Sequence, residues 1–169
     1  MKSNLRAALF ALDMAMQTER DGRVFYLNAA ASTQNDQGRA LFTRIADDEL
    51  GHLAMLGACR KALVEKGEWL PFGEGAHKAA PTTPIFAKRL SEGELNAHTS
   101  NLSALRVAYL LEKDAVDFYT RAAAQTNDAE GRKMYEFLVQ VEQSHQKTLE
   151  TEYQLLSEQF KAMMGFSAF

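Results

Sequence analysis

The chain has 169 residues, with 19 Lys and Arg against 22 Asp and Glu and a formal net charge of −3. Its length suits one domain, residues 1–169, with a sizeable core, and its interspersed charges leave no basic footprint for nucleic acid. A lone cysteine, Cys59, excludes a disulfide framework and any Cys-x-x-Cys site for zinc or rubredoxin-type iron within these residues.

Lys2 and Arg6 followed by Ala7 to Leu12 loosely resemble a signal peptide, but Asp13 interrupts the run and no cleavage-like segment follows. No apolar stretch approaches the roughly 18 residues of a membrane span. The expectation is a soluble, cytoplasmic protein without a membrane partner. Instead of a leader, the segment opens a helix in which Leu5, Leu9, Leu12, Met16, Glu19 and Tyr26 recur at three-and-four spacing, with Arg23 a break in the stripe. Asn35-Asp36 supplies a helix-start signal, and the second helix carries Phe42, Ile45, Glu49, His52, Leu56, Cys59 and Leu63 on one face. Cys59 on such a stripe reads as a small buried hydrophobe. Met14, Met16 and Met55 read as core filler, since thioethers suit softer metals than carboxylates do.

From about Gly67 to Asn101 the character changes: Pro71, Pro81, Pro84, Gly67, Gly73, Gly75 and Trp69 fall here. This is a connector able to span the length of a bundle, with a short helix around Ile85 to Leu95 and with His77 and His98 solvated. The third helix presents Leu105, Ala108, Glu112, Ala115, Tyr119 and Ala122. Asn127 with Glu130 resembles a capping box, and the fourth helix presents Tyr135, Leu138, Glu142, His145 and Leu149, continuing to about Lys161. The apolar tail Phe160, Met163, Met164, Phe166 and Phe169 suggests a docking or subunit contact.

The two helical pairs are copies. Glu19 stands 30 residues before Glu49-Leu50-Gly51-His52, and Glu112 stands 30 before Glu142-Gln143-Ser144-His145, so a single offset of 93 relates them (112 − 19 = 145 − 52). Phe25-Tyr26 recurs as Phe118-Tyr119, Ala29-Ala30-Ala31 as Ala122-Ala123-Ala124, and Gly38-Arg39 as Gly131-Arg132; about 15 of 45 positions from Leu12 to Leu56 match without a gap. Shared Ala and Leu at helical spacing would explain some of this, but not a register kept through a turn.

Glu19, Glu49, His52, Glu112, Glu142 and His145 occupy positions where a core helix should carry leucine. A buried carboxylate costs several kcal/mol and four together repel. Two divalent cations would cancel that charge and leave the imidazoles neutral as ligands. Residues three apart on a helix share a face, so each Glu and its following His can reach one ion. Short turn, long crossover and short turn then give an all-α four-helix bundle of two duplicated hairpins.

This pattern resembles the ferritin-like di-iron carboxylate superfamily, closest to its rubrerythrin branch, and the ligand set is also similar to that of bacterioferritin. The resemblance implies that Glu19 and Glu112 are terminal ligands, Glu49 and Glu142 bridge two iron ions, and His52 and His145 each cap one; Mn or Zn could also fill the site. Tyr26 and Tyr119 are similar to tyrosines that hydrogen-bond ligand carboxylates, the alternative being ordinary core aromatics. Asp48 resembles the acid that orients the opposite histidine, the alternative being a solvated residue beside Asp47; Val141 stands at its counterpart position, so His52 lacks that support. Two departures stand out: Ala115 replaces an additional Glu ligand, and the Cys-x-x-Cys domain often appended is missing. The resemblance implies a redox enzyme, expected as a homodimer, that acts on peroxide or dioxygen with electrons from a separate donor protein. The alternatives are ferritin-type iron oxidation for storage and a zinc-binding structural bundle.

Overall fold

Four helices account for nearly all the described residues of the computed structural model, which are 2–73 and 95–165, with side chains over 4–73 and 101–165. They are α1 (Lys2–Ser32), α2 (Asp36–Lys66), α3 (Leu95–Gln125) and α4 (Ala129–Met163). At about 1.5 Å per residue, the 31 residues of α1 extend roughly 46 Å. His77, Pro81, Pro84, the short helix expected over 85–95, Phe166 and Phe169 lie outside the described residues, as does the side chain of His98. Among the described residues no helix is long and apolar enough to cross a membrane.

The turns are set by side-chain caps. Asn35 accepts a hydrogen bond from the Gly38 amide at 2.8 Å and starts α2. Asp128 does the same for α4, accepting from the amides of Glu130 at 2.9 Å and Gly131 at 3.2 Å. The cap is therefore one residue later than the capping box expected at Asn127. Glu130 does not reach back to close such a box, because its carboxylate accepts the Phe72 amide at 2.6 Å and binds Lys133 at 2.8 Å. Gly67, at φ 71°, ends α2 in the left-handed conformation that glycine adopts without strain.

Three-residue turns make α1–α2 and α3–α4 antiparallel hairpins, and α1 also meets α3. Tyr119 reaches Glu19 while Tyr26 reaches Glu112, so α3 runs antiparallel to α1. It follows that α3 is parallel to α2, and the chain leaving α2 must return a full helix length before α3 begins. That is why the crossover is long.

Two apolar clusters fill the ends of the bundle. One contains Leu12, Leu56, Cys59, Leu63, Tyr119, Tyr135 and Leu138. The other contains Leu105, Leu149, Leu156, Tyr26, Phe42 and Ile45. The offset of 93 carries each of the first set onto the second except Cys59, whose counterpart is the buried Glu152. The duplication thus becomes a two-fold pseudosymmetry, and the midpoint between the clusters is where the six acidic and imidazole side chains lie.

Three expectations need correction. Met14 is 45 % exposed rather than core, although Met16 and Met55 pack against the first cluster. The third helix begins at Leu95, inside the segment read as connector to Asn101, and Asn101 is buried, accepting from Thr33 at 2.9 Å. The start of the connector belongs to the bundle's packing: Trp69 meets the Tyr135 ring edge-on at 6.0 Å, and Phe72 packs on Phe137 at 5.3 Å. A Cβ at Gly131 would lie 2.6 Å from the Trp69 ring, so that approach requires glycine. In the tail, α4 runs to Met163 and Met164 is exposed.

Candidate metal centre

Each helix contributes from its middle. α1 supplies Glu19, α3 supplies Glu112, α2 supplies Glu49 and His52, and α4 supplies Glu142 and His145. All six are buried, none more than 8 % exposed. The i, i+3 spacing on α2 and α4 puts each His beside its own Glu, with Nδ1 3.2 Å from Glu49 Oε2 for His52 and 3.0 Å from Glu142 Oε2 for His145.

The six form two overlapping groups. Glu19, Glu49, His52 and Glu142 offer one ligand atom each, all within 4.8 Å of one another, as do Glu49, Glu112, Glu142 and His145. Glu49 and Glu142 belong to both groups. In the first, His52 Nδ1 lies 3.0 Å from Glu19 and 3.2 Å from Glu142. In the second, His145 Nδ1 lies 3.9 Å from Glu112 and 4.0 Å from Glu49. Both rings therefore turn Nδ1 toward the carboxylates, with their centroids 6.2 Å apart.

The surrounding polar groups fix the carboxylates and one of the rings. The Tyr26 hydroxyl donates to Glu112 and the Tyr119 hydroxyl to Glu19, each tyrosine serving the ligand candidate of the other half. Asp48, half-buried, holds His145 Nε2 at 3.2 Å, which directs Nδ1 inward. Val141 occupies the equivalent place beside Glu142.

Burial sets the electrostatics. It pushes the Glu49 and Glu112 carboxyls well above the usual range, with repulsion from Glu142 adding to it. Burial acts the same way on Glu142, but the neighbouring imidazoles of His145 and His52 outweigh it and hold that carboxyl below its ordinary value. His145 is pushed up to about 10: burial opposes its charge, but Asp48 and Glu142 prevail. Tyr26 and Tyr119 are raised, first by burial and then by the charge of Glu112 and Glu19. Protons are thus drawn to the imidazoles and to the mutually repelled carboxylates.

Divalent cations fit this cluster. Hard carboxylate oxygens with one imidazole per group suit iron, manganese or zinc. The Oε1 of Glu142, 1 % exposed as a residue, accepts no hydrogen bond although His52 Nδ1 lies 3.2 Å away. A coordinating ion would satisfy it.

A cavity of about 230 Å³ opens onto this cluster between α1 and α3, lined by Gly22 and Ala115 beside Glu19, Glu49, Glu112 and Glu142. Sequence reasoning placed Ala115 on the inward stripe and marked it as a missing ligand, and did not single out Gly22. The available signal was a glycine in mid-helix, three residues after Glu19, where a helix ordinarily avoids one.

Fold and site together define a ferritin-like four-helix bundle with a buried carboxylate–histidine cluster able to hold metal ions. The chain belongs to the rubrerythrin family, whose sequence profile matches residues 11–153 under the description Rubrerythrin. No curated protein and no solved structure matches it significantly.

Proposed function

We propose that the protein is a di-iron oxidoreductase that reduces peroxide or dioxygen with electrons from a separate donor protein. The observation that carries this reading is the sharing of Glu49 and Glu142 between two ligand groups, which is the arrangement two neighbouring ions require. Glu19 and His52 would complete one ion's ligands, Glu112 and His145 the other's. Two iron ions held there supply one electron each to an O–O bond; for hydrogen peroxide, two electrons and two protons give two waters.

The chain's own residues prepare that chemistry. Tyr26 and Tyr119 fix the carboxylates of Glu112 and Glu19 by donating to them. Asp48 keeps His145 oriented, and the two apolar clusters keep bulk water from the ends of the site. The mixed surface charge and the free, buried Cys59 accord with a cytoplasmic protein, which we read as a homodimer.

The test is anaerobic loading with iron followed by peroxide, with metal content and visible spectrum recorded before and after. The wild type should bind two irons and consume peroxide, and Glu49→Ala and Glu142→Ala should do neither. Either variant binding two irons and turning over normally would overturn the reading. Ala115 supports a second reading, because the centre lacks the extra carboxylate of rubrerythrins and so approaches a bacterioferritin-like set: iron oxidation for storage. Size-exclusion chromatography separates the two, since storage needs a hollow cage and the redox enzyme a dimer. A zinc-filled structural bundle would show no visible absorption.

A further inference from the structure

We propose that cations reach the centre through the α1–α3 seam, with Gly22 and Ala115 among its walls and Asp21 and Asp114 as its charged mouth. This rests on the metal-site reading and adds a route to it. The seam holds the cavity of about 230 Å³, well above the roughly 30 Å³ share of one water, so a cation can enter with part of its water shell. Asp21, Asp114 and Leu111 at its outer edge are exposed, while Glu19, Glu49, Glu112 and Glu142 at its floor are buried. The cavity therefore joins solvent to the ligand candidates.

α1 packs closely on α2 and α3 on α4. Between α2 and α4 the two imidazole rings stand side by side, and Asp48 covers the outer edge of His145.

The seam is also built for positive charge. Among the described residues, every ionisable side chain lining the cavity, Tyr26 apart, is a carboxylate. Mouth and walls follow the pseudosymmetry, since the offset of 93 carries Asp21 to Asp114 and Gly22 to Ala115. The helix duplication therefore doubled both the acidic mouth and the small wall residue. A glycine in mid-helix is unfavourable relative to alanine, and here it keeps space. A Cβ at residue 22 would lie 3.9 Å from the Glu49 carboxyl, so alanine fits, but a longer side chain runs toward that carboxyl across the opening.

The experiment follows Co(II) uptake by the metal-free protein in a stopped-flow absorption instrument, with bound cobalt counted at equilibrium. Gly22→Leu and Ala115→Leu should slow uptake tenfold or more while the final count stays at two ions per chain. The double variant Asp21→Asn/Asp114→Asn, which alters only exposed side chains and so cannot collapse the core, should lower the rate severalfold and flatten its dependence on salt. Ala54→Leu, on the exposed face of α2, serves as the control and should match the wild type. Wild-type rates and salt dependence in the Asn variant would overturn the charged mouth, and wild-type rates in both Leu variants would overturn the route. A wild type that binds no ion pair would overturn the metal-site reading and the route with it.

Discussion

The two hairpins repeat one pattern, and one difference between them falls beside the histidines. On the α1–α2 side Asp48 leans across to His145; on the α3–α4 side Val141 has nothing to offer His52. The apolar ends differ at several positions, among them Leu41 against Met134, Phe42 against Tyr135, Ile45 against Leu138 and Cys59 against Glu152. The ligand candidates and their tyrosines do not differ at all. The comparison teaches that the shared features are the inward carboxylates, imidazoles and tyrosines, whereas the divergent ones make the surroundings of the two ligand groups unequal.

Removing a shared carboxylate should break the symmetry most severely. Glu49→Ala or Glu142→Ala takes a ligand from both groups at once, so bound metal should fall from two ions per chain to one or none. Glu19→Ala, which touches only one group, should leave one ion in place. Metal analysis after dialysis distinguishes these outcomes.

Stripping the metal should expose the electrostatic cost that both halves share. Burial, then repulsion from Glu142, raises Glu49 and Glu112, and His145 is raised to about 10 by Asp48 and Glu142 against its burial. Groups with raised values bind protons more tightly in the folded state, so their contribution is full below their unfolded values and is lost as pH rises. Asp48 and Glu142, with lowered values, act only below the ordinary carboxylate range. The metal-free protein should therefore melt at progressively lower temperature as pH rises from about 5 to 9. Metal a hundredfold above its Kd should add about 2.7 kcal/mol, or roughly 5–10 °C. A flat melting profile for the metal-free protein would contradict this account.

The unequal support of the two histidines can be sharpened by Asp48→Asn. It should weaken binding of one ion by about 10–100-fold and leave the other unchanged, as read by calorimetric titration. Equal weakening of both ions would mean that the asymmetry has no consequence.

The smallest effect lies at the end of the bundle. Gly131→Ala places a Cβ 2.6 Å from the Trp69 ring, an overpacking cost of about 1–3 kcal/mol partly offset by about 1 kcal/mol of helix propensity. The melting temperature should drop by a few degrees and the tryptophan emission should shift to the red, with metal stoichiometry unaltered.

Much of this was legible from spacing. Phe42, Ile45, Leu56, Leu105, Tyr135 and Leu149 were each assigned to a buried face by three-and-four periodicity, and all are buried. Periodicity failed at Met14 because a residue at the border of a stripe faces solvent or core depending on where the neighbouring helix lies. It failed at Trp69 for a different reason. A Trp among Pro and Gly carries no period, and only its packing on Gly131 and Tyr135 shows that it belongs to the core.

The sequence by itself determined which six side chains face inward and that two equivalent hairpins carry them, because a helix's period and a gapless repeat are properties of the chain alone. The tertiary structure decided who meets whom. Tyr26 serves Glu112, Tyr119 serves Glu19, Asp48 reaches His145, and the seam at Gly22 and Ala115 stays open. Those pairings depend on the antiparallel setting of one hairpin against the other, which is fixed by how the faces pack in space.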